Sequence, residues 1–92
     1  MKELKITMEF WREGELYVIH CPELDMIAQG YSLEEAKKNL FEVIEIQFEE
    51  MEEMGTLNEF LEERGFRIID DILTSQREII GFDKSFVKLE CV

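Results

Sequence analysis

The chain has 92 residues, a length that fits one domain and leaves no room for a second core. Apolar residues make up 46% of it, enough for collapse, which excludes a disordered acidic tail. Lys and Arg total 10 against 22 Asp and Glu, and the net charge of -12 argues against binding nucleic acid through phosphate neutralisation; a basic protein partner or plain solubility suits it better.

No run approaches the ~20 consecutive apolar residues that a membrane helix needs, and "MKELKITMEF" has no apolar signal-peptide core. Cys21 and Cys91 sit in no metal or redox motif, so a cytoplasmic, thiol-reduced protein is expected. A disulfide between them would require their strands to lie side by side.

Leu4, Ile6, Met8 and Phe10 alternate with polar residues and predict a half-buried strand reaching Trp11. "REGE" at 12–15 predicts a tight hairpin turn at Gly14. From Leu16 to Cys21 both faces are largely apolar, with Leu16, Val18 and His20 on one and Tyr17, Ile19 and Cys21 on the other. That pattern predicts a central strand. Pro22 cannot donate to a ladder and ends it. "PELD" then turns the chain into a short third strand, Met26 to Gln29, which Gly30 frees from the sheet.

"SLEE" at 32–35 is a capping box opening a helix that should run to Met54, with Gly55 past its end. Leu33, Ala36, Leu40, Val43, Ile44, Gln47, Phe48, Met51 and Met54 form one broad stripe. "TLNE" repeats the capping box with Thr56 and opens a short helix through Arg64, closed by Gly65. "FRIID" suits a strand, "DILTSQREIIGFDKS" has no clear period, and "FVKLECV" predicts a terminal strand. The fold class is therefore α+β: a three-stranded antiparallel meander packed by one long helix, then a short helix and a C-terminal strand. The whole of 1–92 reads as one domain, with its core in 1–55 and an extension over 56–92.

Chemistry is sparse in this pattern. His20 is the single histidine, and Cys21 points to the opposite face of the same strand, so the two form no thiolate–imidazolium pair. Glu42, Glu45, Glu49, Glu52 and Glu53 belong to the outer helix face, where carboxylates are solvated rather than desolvated for acid–base work. Phosphate-cradling loops, a nucleophile elbow and zinc spacing do not occur. The expectation is no enzyme, no catalytic residue, no metal and no cofactor. One helix residue departs from a solvated face: Ile46 lies among Glu35, Glu42, Glu49 and Glu53 at 100° per residue. An apolar residue rimmed by charge suits an interface anchor, and equally a single exposed isoleucine.

"YVIHCPELDMIAQGYSLEEAKKNLFEVIEIQFEE" (17–50) resembles the HicB-like antitoxin family. The resemblance lies in Tyr17-Val18, Pro22-Glu23-Leu24, Gln29-Gly30, Ser32-Leu33-Glu34-Glu35-Ala36, Asn39 and Val43-Ile44-Glu45. Asp25 stands where members often have Pro, and Met26 where Gly is usual. The resemblance implies a reduced ribonuclease-H-like sheet without its catalytic carboxylates. It also implies neutralisation of a small basic HicA-type mRNA-cleaving toxin by covering its active surface. Many members carry a C-terminal DNA-binding module; the region after Gly65 is too short and too acidic for one. No direct nucleic-acid contact is expected, and no membrane contact.

Two surfaces compete for the partner: the acidic helix face with Glu42, Ile46 and Glu49, and the "CPELD" turn with Pro22, Glu23 and Leu24 beside Trp11. A homodimer or tetramer is also expected, because one helix cannot cover both faces of the central strand. The competing functions are an orphan self-associating domain and a degraded nuclease.

Overall fold

The structure, a computed structural model, describes residues 3–90. Its N-terminal strand is broken where the alternation predicts continuity. Strand β1 (Glu3–Leu4) and strand β2 (Glu9–Glu13) flank an irregular stretch over residues 5–8. Leu4, Ile6 and Met8 still pack against the core, so the alternation holds while the ladder does not. The break comes from partners on opposite sides. β1 pairs in parallel with a late strand, and β2 pairs with the hairpin strand that follows it. Between them, the Thr7 N–H donates to Glu23 Oε1 at 2.9 Å and the Thr7 hydroxyl to Glu23 Oε2 at 2.6 Å. A carboxylate here stands where a neighbouring strand would.

β2, β3 (Leu16–Cys21) and β4 (Met26–Gly30) form an antiparallel meander with β3 central, as the two-faced apolar run predicts. Gly14 turns the first hairpin with φ of 61°. Ile19 pairs with Phe10 and Ala28, and Val18 with Trp11 and Gln29, which fixes the two faces of the sheet. The face of Ile19, Cys21 and Met26 is the core side, joined there by Leu24 from the turn.

Helix α1 (Leu33–Met54) lies across that side. Ser32 caps it, its Oγ accepting from the Glu35 N–H at 3.0 Å. Its C-terminus closes as a Schellman turn: Gly55 is left-handed, its N–H donates to the Glu52 carbonyl, and the Thr56 N–H to that of Met51. Ala36 and Leu40 are buried, and Val43, Ile44, Phe48 and Met51 complete the inner stripe. Leu33, Gln47 and Met54, predicted in that stripe, are exposed. Gly30 serves close packing rather than escape from the sheet. A Cβ there would lie 2.7 Å from the Ala36 backbone nitrogen.

Helix α2 (Leu57–Glu63) follows, but Thr56 is not the side-chain cap that "TLNE" predicts. Its hydroxyl turns back to the Met51 carbonyl at 3.4 Å, drawn by the open end of α1. Phe60 meets Phe48 edge to face at 6.4 Å between centroids, docking α2 on α1.

The fold departs from the predicted single meander in its second half. β5 (Phe66–Ile69) and β6 (Ile72–Ser75) form a hairpin, and β6 also pairs in parallel with β1, giving a second three-stranded sheet of order β1-β6-β5. The core accordingly extends past residue 55 to include Leu61 and Phe66. The predicted terminal strand does not form: residues 78–89 carry no regular structure. Cys91 and Val92, the end of that predicted strand, lie outside the described residues. The radius of gyration, 16.2 Å, exceeds the roughly 12 Å of a compact chain this long. No helix among the described residues is long and apolar enough to cross a membrane.

Candidate functional site

The residues of the "CPELD" turn are largely consumed by the fold. Leu24 is 1% exposed and sits in the core cluster, so its side chain is not offered to a partner, contrary to the expectation drawn for it. Glu23 is half-buried and committed to Thr7, and the Cys21 thiol approaches Glu23 Oε1 at 3.7 Å. Pro22 is half-buried at the strand end. Asp25 takes a left-handed φ of 52°, which Asp tolerates better than most residues.

The other resembling residues are structural as well. Gly30 admits the helix, Ser32 caps it, Ala36 is its contact with the sheet, and the Asn39 amide donates to the Gln29 carbonyl on edge strand β4 at 2.8 Å. The pattern from 17 to 50 is thus a device for joining a β-turn-β unit to a helix. Leu24, Gly30 and Ala36 face inward, while Gln29, Leu33, Glu34, Glu35 and Glu45 of the same pattern are exposed.

Two surfaces face outward. On α1, Glu42, Ile46 and Glu49 are all exposed, with Ile46 at 56%. Glu35 and Glu53 share that side by helical spacing and are exposed too. The sequence-predicted acidic face with an apolar centre therefore exists as one continuous strip of helix. Trp11 is remote from it in kind: it lies on the sheet face opposite α1, in register with Val18 and Gln29. That open face also carries Ile27 in register with His20 and Glu9. Trp11 and Ile27 are 58% and 60% exposed. Sequence reasoning missed Ile27, although its alternation with the buried Met26 and the partly buried Ala28 was there to be read.

His20 is the centre of the polar part of this face. Its Nδ1 lies 2.8 Å from Glu9 Oε1 and its Nε2 3.2 Å from Asp25 Oδ1. Both contacts favour the imidazolium, the Glu9 bond most, and hold its pKa above the ordinary value. The carboxylates grip opposite ring nitrogens, so the three groups do not converge on one point as metal ligands must. Among the described residues no group of His, Cys, Asp or Glu is arranged to hold a metal ion. Cys21 is fully buried, and desolvation pushes its thiol up to about 11, far from a reactive thiolate.

No family model, curated protein or solved structure matches this chain. The HicB-like resemblance rests on residues 17–50 alone.

Proposed function

We propose that this chain is a HicB-like antitoxin, or a protein-binding module derived from one, that neutralises a small basic HicA-type toxin by covering its active surface. The observation that carries the reading is the outer face of α1. There Glu42, Glu49 and Glu53 surround an exposed Ile46, and residues 39–54 hold no Lys or Arg. Like charges spaced three and four apart repel one another until counter-charges arrive, and a cationic partner supplies them. Ile46 then supplies the apolar centre that charged rims surround in protein interfaces.

The reading includes a reduced ribonuclease-H-like sheet and no enzymatic activity. The antiparallel β2-β3-β4 meander, the helix over one face and the parallel β1–β6 pair support the first part. The inward commitment of Glu23 and the bridged, non-convergent Glu9–His20–Asp25 cluster support the second.

The test is to co-express the chain with the product of its neighbouring reading frame. A small basic protein that arrests growth alone, and is silenced and co-purified by this chain, is the expected result. A neighbouring product that neither binds nor is silenced overturns the reading.

A further inference from the structure

The C-terminal segment leaves the body at Ser75 and passes Pro22 and Glu23, where Arg77, Glu78 and Ile79 line a shallow cleft with them. Beyond Ile79 its apolar side chains cover nothing. Ile80 is 94% exposed, Phe82 92%, and Phe86 fully so. Water-exposed apolar side chains in such a row are a large unfavourable surface for an isolated chain. In an extended segment, residues of one parity share a face. The even face reads Ile80, Phe82, Lys84, Phe86, Lys88, which is apolar and cationic together.

The segment's charge sets it apart. Residues 76–90 hold Arg77, Lys84 and Lys88 against Glu78, Asp83 and Glu90, and are neutral in a chain of net charge -12. The open face of the β2-β3-β4 sheet has the complementary character. Trp11 and Ile27 stand out from it around Val18, with Glu9, Glu13 and Asp25 at its margins.

We infer that residues 80–89 of one copy lie across the open β2-β3-β4 face of a second copy, and reciprocally, forming a homodimer by tail exchange. Phe82 and Phe86 cover Trp11 and Ile27, while Lys84 and Lys88 meet Glu9 and Glu13. The phenylalanines alone bring about 300–500 Å² per tail. For two tails, counted on both partners, that is about 1,200–2,000 Å², the size of a specific interface. A second copy is the occupant because each molecule carries both Lys84 and Lys88 on its tail and Glu9 and Glu13 on its face, and two-fold exchange satisfies both at once. The inference does not rest on the antitoxin reading.

The test uses the purified full chain and two variants, with light scattering giving the mass in solution. The tail variant is Phe82→Ser with Phe86→Ser, and the face variant is Trp11→Ser with Ile27→Ser. The wild type should show twice the 11.0 kDa chain mass, and each variant the mass of one chain. An equimolar mixture of the variants should give a mass above that of either variant alone as concentration is raised, because one intact tail then meets one intact face, with half the contact of the wild type. A monomeric wild type, as a tail folded on its own sheet or reserved for another protein would give, overturns the inference. So does a tail variant that stays dimeric, or a mixture whose mass never rises above that of one chain as concentration is raised. All four substituted side chains are exposed, so circular dichroism should match the wild type. If the face variant unfolds, Trp11→Ser alone takes its place in the mixture.

Discussion

Glu23 shows how a single side chain can stand in for a strand. Its two oxygens accept from the backbone and hydroxyl of Thr7, where the N-terminal strand has lost its ladder. Hydrogen bonds to a carboxylate are stronger than neutral ones. Glu23→Gln, which keeps the shape and removes the charge, should therefore destabilise the fold by about 1–2 kcal/mol in urea denaturation. A wild-type midpoint would show that the bonds add nothing. His20 is a second such residue, with a pH signature. Its folded pKa lies above its ordinary value, so its contribution is fully present below the unfolded pKa and is lost as pH rises through the folded one. The stability gap between wild type and His20→Gln should be larger near about pH 6 than near about pH 8. A gap independent of pH would contradict the bridge to Glu9 and Asp25.

Among the elements, α1 carries two unlike faces, and they separate stability from function. Leu40 is fully buried under the sheet, so Leu40→Ala should cost about 2–5 kcal/mol. Ile46→Ala, on the exposed face, should change stability by no more than about 0.5 kcal/mol. Thermal unfolding of the pair distinguishes the two roles, and a large loss for Ile46→Ala would place that residue in the fold rather than at an interface. Both faces could be read from the sequence because helical periodicity, the Ser32 cap and the Gly55 terminator are local signals. β3 and β4 were readable for the same reason, bounded by Gly14 and Pro22. β6 was not. Its four residues show no alternation, and its partner β1 lies at the far end of the chain, Glu3 against Ile72. The turn before it offered one unused signal. Asp70 and Asp71 both take positive φ, which a two-residue hairpin requires and Asp tolerates. "FVKLECV" misled in the opposite direction: its alternation is that of a strand, yet residues 86–89 pair with no strand among the described residues.

At the scale of the whole molecule, inward and outward residues divide the work. The buried residues of the 17–50 pattern, among them Leu24, Gly30 and Ala36, build the junction between sheet and helix. What faces outward is an acidic helix strip, an apolar and acidic sheet face, and a neutral apolar tail. On the readings proposed above, the first would meet a cationic partner by long-range attraction and the other two would meet each other. Of the candidate turn residues, Leu24 is closed to a partner by burial, which is set by packing that spacing alone does not show. Surface plasmon resonance of a basic partner protein, the neighbouring reading frame's product, on immobilised wild type and on Glu42→Lys/Glu49→Lys tests the central proposal most directly. Exposed charges farther apart than about 8 Å are screened at physiological ionic strength, so the wild-type on-rate should fall steeply as salt rises. The double variant should associate more slowly at low salt, by about tenfold or more, and lose most of that salt dependence. Equal on-rates for the two proteins at both salt concentrations would contradict a partner steered to the acidic face of α1.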